Sequence, residues 1–124
     1  MRKALVVLTL TLLACQTTAP LVSDRLFFGR NIPSGGNVSE AQWEDFVRDV
    51  VTPRFPKGLT IWQARGQWRD PRGASVHEDV YVVEIFHDPN VDEAAIAAIA
   101  QEYKKRFGQD AVLRVTSRSK MRFY

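Results

Sequence analysis

The segment that most constrains the fold is DVYVVEIFH, residues 79–87. In an extended chain Tyr81, Val83 and Ile85 point one way, while Val80, Val82, Glu84 and Phe86 point the other. Both sets are largely apolar, so this strand belongs inside a sheet with a packed layer on one side. If helices cover only one face, the other is left with an apolar row that a solitary two-layer domain would not carry. The chain has 124 residues, of which 45% are apolar and 25% charged. That is enough for one domain with one core, and it excludes disordered, collagen-like and disulfide-scaffold chains.

The elements around that strand follow from local patterns. A short strand, residues 26–28, ends at Gly29, and the loop from Asn31 to Asn37 holds Pro33, Gly35 and Gly36. Ser39 and Gln42 form a capping box, and Val38 can staple to Trp43. Trp43, Phe46, Val47, Val50 and Val51 then repeat at helical spacing until Thr52-Pro53 stops the helix. A second strand covers residues 59–68, with Gly66 marking a bulge or a close backbone approach. Asp70-Pro71-Arg72-Gly73 is a turn into the strand at 79–87. A second helix follows Asp88-Pro89-Asn90, capped by Asn90 with Glu93 or begun at Asp88 with Pro89. Ile96, Ile99, Tyr103 and Phe107 form its stripe, and Gly108 ends it. The last strand begins at Ala111, runs through Val115, and can extend toward 121–124. The order β-α-β-β-α-β predicts an α+β, ferredoxin-like domain: a four-stranded antiparallel sheet with two helices on one face.

The N-terminus carries an address. Arg2 and Lys3 precede an apolar run from Ala4 to Ala14, too short for a permanent membrane span. The run ends in Leu12-Leu13-Ala14-Cys15, which resembles a bacterial lipobox, and Cys15 is the only cysteine. The alternative is an ordinary secretory leader cut after Ala14 or near Ala19. The lipobox reading divides the chain into a signal peptide (1–14), a lipidated tether (15–24) and a folded domain (25–124). It makes Cys15 the lipid attachment site and the membrane a partner through that anchor. Gln16, rather than aspartate, follows the cysteine, which favours an outer-membrane lipoprotein facing the periplasm. The domain then holds no thiol for a disulfide, a nucleophile or a metal.

Charge says less than the net value suggests. The +3 of the chain includes two leader cations, so the mature chain carries about +1, no argument for nucleic acid. The charges are segregated. Residues 54–72 hold five basic groups and one acid, residues 78–93 six acids and no Lys or Arg, and residues 114–122 four basic groups and no acid. Paired strands could neutralise such runs.

The segment VTPRFPKGLTIWQARGQW, with LFFG upstream and YKKRFGQDAVLRV downstream, resembles a family of small bacterial secreted or lipid-anchored proteins known only as a domain of unknown function. The likeness covers roughly residues 26–115. It departs at Ala111, where the family has serine, and at Lys57, where it often has aspartate. The resemblance implies a shared fold and no known activity.

Candidate site residues are few. His77 and His87 lie ten residues apart, about 33 Å along an extended strand, so they cannot share a metal. His87-Asp88 could act as an acid–base pair, or His87 could simply close a strand beside a helix cap. Arg54, between Pro53 and Phe55-Pro56, could present a guanidinium to an anion or make a structural ion pair. Trp62, Arg65, Gln67, Trp68 and Arg69 mix aromatic and polar groups suited to stacking, though packing is the plainer use. An RNA-recognition strand motif is absent, and a periplasmic address removes the RNA. Glu78 and Glu84 lie about 20 Å apart, too far for a glycosidase pair. No nucleotide, hydrolase or metalloprotease motif occurs, and no cofactor is expected.

These observations lead to a binding or assembly module that uses its apolar sheet face, with a homodimer or an envelope protein as partner and Arg54, Trp68 and Arg114 as its polar or aromatic determinants. The alternative is a small cofactor-independent enzyme with a cavity between the sheets of a dimeric α+β barrel. Its acid–base group would be His77 or His87, assisted by Tyr103 or Arg114.

Overall fold

A computed structural model describes residues 20–90 and 93–124. The leader and Cys15 lie outside the described residues. The elements are β1 (Leu21–Gly29), α1 (Glu40–Phe46), β2 (Thr60–Arg69), β3 (Ser75–His87), α2 (Glu93–Phe107) and β4 (Leu113–Ser119). A π-helical turn, Val47–Val51, continues α1. The four strands form one antiparallel sheet in the order β2-β3-β1-β4. This is the α+β arrangement expected from the sequence, and it is consistent with a ferredoxin-like domain.

The register divides the sheet into two faces. Leu26 lies opposite Val83, Phe28 opposite Tyr81, and Ile61 opposite Val83. These residues share one core with Trp43 and Phe46 of α1 and Ile96, Ile99, Tyr103 and Phe107 of α2, so both helices cover the same face. Fully burying a side chain such as Phe28 or Ile99 contributes about 2 kcal/mol. Trp43 stacks on Tyr81 with ring centres 4.2 Å apart and planes 2° from parallel.

The first helix begins where the capping box places it. Ser39 Oγ accepts the Gln42 N–H at 3.2 Å, and Gln42 Oε1 accepts the Ser39 N–H at 2.9 Å. Its end widens: the Thr52 N–H donates to Val47 O, five residues back, at 2.9 Å. Val50 and Val51 both reach the core from this turn.

Four expectations need correction. β1 starts at Leu21, so residues 21–24 of the proposed tether belong to the sheet. Their pairing with β3 and β4 supplies the backbone partners that hold them there. β3 begins at Ser75, four residues early, because its polar start pairs with the end of β2 as a two-stranded ribbon. Gly66 marks no bulge: the β2–β3 register is unbroken from Thr60–Glu84 to Arg69–Ser75. A side chain there would press on Val80, with a Cβ only 3.3 Å from Val80 Cγ2, which is the close approach that the glycine permits. β4 also starts later than read, at Leu113. Among the described residues, no helix is long and apolar enough to cross a membrane.

Candidate functional site

The sheet face away from the helices is the most unusual surface of the molecule. Register places Trp62, Val82, Phe27 and Leu113 in one row across all four strands. Beside it, Thr60, Glu84, Arg25 and Val115 form a second row. Exposed on this face are Trp62 at 37%, Phe86 at 43%, Val115 at 42%, Trp68 at 46% and Leu113 at 59%. Flat apolar surface of this kind marks an interface or a ligand surface. The apolar row anticipated on β3 itself is mostly covered: Val80 and Val82 are buried, Val82 between Trp62 and Phe27 of the flanking strands, and only Phe86 of that row is open, so the exposed apolar groups come chiefly from β2 and β4. One ion pair crosses the face: Arg25 Nε donates to Glu84 Oε1 at 2.9 Å, and Ser23 Oγ donates to the same oxygen at 2.8 Å. Burial alone would raise the Glu84 carboxyl, but these two donors outweigh it and hold the group below the usual carboxylate range.

Each end of the sheet carries a recess. Beside the turn between β2 and β3 is a pocket of about 620 Å³ with Phe27, Trp68, Val76, Val80 and Leu113 around Glu78. Glu78 Oε1 accepts the Asn31 N–H at 2.8 Å. Burial pushes this carboxyl up, and the single backbone donor only partly opposes the shift. At the opposite end lies a cleft of about 720 Å³, lined among others by Arg54, Lys57, Phe86, His87, Met121 and Phe123.

Under the start of α2 sits a polar knot that sequence reasoning missed. Its centre is Asp24, with no exposed side-chain surface. Arg114 donates to it twice, through Nε to Oδ1 at 2.9 Å and Nη2 to Oδ2 at 2.7 Å. Thr116 Oγ1 donates to Oδ1, and His87 Nε2 lies 2.7 Å from Oδ2. Burial alone would raise the Asp24 carboxyl. The bonds from Arg114, Thr116 and His87 overcome that and hold it at about 2, against an ordinary 3.8. His87 Nδ1 faces the carbonyl of Asp88 at 2.7 Å, so both ring nitrogens are engaged by oxygen acceptors. Arg114 Nη2 also donates to Glu93 Oε1 at 3.0 Å, and Glu93 and Asp24 together keep its guanidinium firmly charged. Glu93 thus serves Arg114. The capping box proposed for it with Asn90 spans residues 91–92, outside the described residues.

Of the residues singled out from sequence, His87 and Arg114 meet on Asp24, and the others are dispersed. Arg54 and His87 meet in the cleft at one end, while Trp68 stands at the other. Arg54 Nη1 donates to the Val50 carbonyl at 2.7 Å and closes the turn after α1. Arg114 is held in the knot, and Tyr103 donates its hydroxyl to the Gly29 carbonyl at 2.8 Å from a buried position. Burial pushes the Tyr103 phenol well above its usual range. His77 is exposed at the outer end of β3, with Nε2 3.5 Å from Ser75 Oγ. Asp24 had one available signal: extending the alternation of Leu26 and Phe28 back by one step puts it on the core face, where a charge must have partners.

The domain so described matches a family model over residues 23–123, that of a protein of unknown function, DUF3574. The chain belongs to this family. The family resemblance read from the sequence is thereby shown, and the match spans the sheet, both helices and both end recesses. No curated protein matches the chain in sequence. Solved structures that share its fold include two of a phage SAM lyase. A phage SAM lyase in complex with S-methyl-5'-thioadenosine superposes with a TM-score of 0.58 at 19% identity, covering 84% of this chain and 92% of that one. A phage SAM lyase in its apo state gives 0.52 at 18% identity, with coverages of 83% and 91%.

Proposed function

We propose that this DUF3574 protein is a lipid-anchored assembly module of the cell envelope, tethered through Cys15 to the outer membrane and facing the periplasm. Its open sheet face pairs with the same face of a second copy. The observation that carries this reading is the exposure of Trp62, Leu113 and Val115, in two adjacent rows of a helix-free sheet face. Charge supports a self-complementary partner. Arg25 and Glu84 lie side by side on that face, so a two-fold axis beside them brings each cation to the partner's carboxylate. The test is sedimentation of wild type and of Leu113→Asp over a concentration series. Leu113 is 59% exposed, so aspartate there leaves the core intact. A dimer in wild type and a folded monomer in the variant support the pairing. Identical sedimentation of the two contradicts it.

A second reading has one observation in its favour, the fold shared with a phage SAM lyase that holds S-methyl-5'-thioadenosine. Under it, the cavity between paired sheets is the site of a small cofactor-independent enzyme. Of the acid–base groups considered, His77 is the exposed one, but it lies on the phase of β3 shared with Tyr81, away from the open face, and His87 has both nitrogens engaged. Calorimetric titration with S-methyl-5'-thioadenosine tests this. Saturable heat favours the enzyme, and its absence at millimolar ligand removes the reason for it. Replacing His77 alone should leave an assembly module intact and silence an enzyme that uses it, whereas replacing His87 removes a partner of the buried Asp24.

A further inference from the structure

The recess around Glu78 sets a carboxylate that lacks a cation beside Phe27, Trp68, Val76, Val80 and Leu113, with Asp110 and Gln109 also in its lining, whereas Glu84 on the same face is paired with Arg25. Glu78 is on the outward phase of β3, with its carboxylate lying over Gly29 of the neighbouring strand. A Cβ on Gly29 would come within 2.3 Å of Oε1 and 2.8 Å of Oε2, so the glycine is what lets the carboxylate settle there. The backbone N–H of Asn31 satisfies Oε1. Among the described residues no Lys, Arg or His lies within ion-pair distance of Glu78. The basic groups nearby are otherwise occupied or turned away. Arg30 donates to the Val38 carbonyl and lies over the Tyr81 ring, Arg65 lies 3.8 Å from Asp79, and His77 sits beside Ser75. Burial accordingly disfavours the charged form of Glu78. A half-buried carboxylate without a cation, in a pocket of about 620 Å³ whose wall includes the half-exposed Trp68, is an incomplete electrostatic arrangement.

We propose that this pocket binds a small organic cation with an apolar or aromatic body, its charge on Glu78 and its body against Trp68, Phe27 and Leu113. The carboxylate supplies the counter-charge, and the indole face adds a cation–π and stacking surface. An inorganic ion would gain from the first and nothing from the second. The site is complete within one chain and does not depend on sheet pairing. If a second copy covers the face, the pocket lies under its roof, and cation binding and assembly become linked.

Benzyltrimethylammonium is a suitable probe and benzyl alcohol its neutral counterpart. The processed full chain, in non-ionic detergent at pH 7, is titrated by calorimetry and by NMR of the Trp68 indole N–H, with oligomeric state measured on the same samples. Saturable binding of the cation that shifts the Trp68 signal is expected, with at least tenfold weaker binding in Glu78→Gln and no such difference for benzyl alcohol. The glutamine keeps an oxygen for the Asn31 N–H, so the fold is retained. Trp68→Leu, which leaves Glu78 untouched, should weaken binding as well. No saturable shift at Trp68, or equal affinity in Glu78→Gln, overturns the site. Binding by a monomer upholds the site and overturns the pairing, and a dimer without binding does the reverse.

Discussion

Replacing Asp24 with asparagine is the most demanding test of the knot under α2. The carboxylate is fully buried and surrounded by four donor groups: two nitrogens of Arg114, His87 Nε2 and Thr116 Oγ1. An amide oxygen can stand in at Oδ1 for the bonds from Arg114 Nε and Thr116. The amide NH2 then points at Arg114 Nη2, setting donor against donor, and meets His87 Nε2, which accepts it only in the tautomer with its proton on Nδ1. Removing one partner of a buried ion pair costs about 3–5 kcal/mol. Arg114 keeps Glu93 and a quarter of its side-chain surface in solvent, so the lower end, about 3 kcal/mol, applies. The sign of the pH dependence follows from the depressed carboxyl. A group held at about 2 when folded, against 3.8 when unfolded, stabilises the fold above pH 3.8 and ceases to as pH falls to 2. That shift corresponds to about 2 kcal/mol. Urea unfolding of wild type and Asp24→Asn at pH 6 and pH 2 measures both quantities. The gap between the two proteins should be about 3 kcal/mol at pH 6 and narrow by about 2 at pH 2. A gap under about 1 kcal/mol at pH 6, or one that stays constant or widens on acidification, refutes the argument.

Three further outcomes follow from other parts of the molecule. Ser39→Ala removes the side-chain half of the capping box and should cost about 1 kcal/mol in urea unfolding, with Gln42→Ala costing less when Ser39 is already gone. Gly29→Ala pushes aside the Glu78 carboxylate, the mobile end of its side chain, and should cost about 1 kcal/mol through the lost bond from the Asn31 N–H, a cost that disappears when Glu78 is already alanine. Cys15→Ser should move the protein from the membrane fraction to the soluble periplasmic fraction under the lipoprotein reading. Unchanged fractionation argues for the ordinary secretory leader.

The fold was more legible than the site, for identifiable reasons. Ser39 with Gln42 and the Trp43–Phe46–Val50 stripe are local signals, and the structure uses them as read. The two-sided apolar pattern of residues 80–86 announced the core, but of its outward residues only Phe86 is open, because Trp62 and Phe27 on the neighbouring strands flank Val82. β1 was read too short because Ser23, Asp24 and Arg25 look like loop residues. Asp24 is tolerated in a strand only because His87, Arg114 and Thr116 converge on it from 63, 90 and 92 positions away. Such a knot has no local periodicity to betray it. The same holds for Glu78, whose place depends on a missing side chain at Gly29 on another strand. Arg54 and His87 were noticed for their neighbours in sequence, yet what joins them is a cleft between the loop after α1 and the end of β3.

The central claim is that the open sheet face exists to be covered by a second copy. Native mass spectrometry of the processed protein released from detergent tests it most directly, because it reports stoichiometry and any retained small molecule in one spectrum. The account predicts a dimer at micromolar concentration that reverts to monomer with Leu113→Asp. A wild-type monomer throughout that range would contradict it.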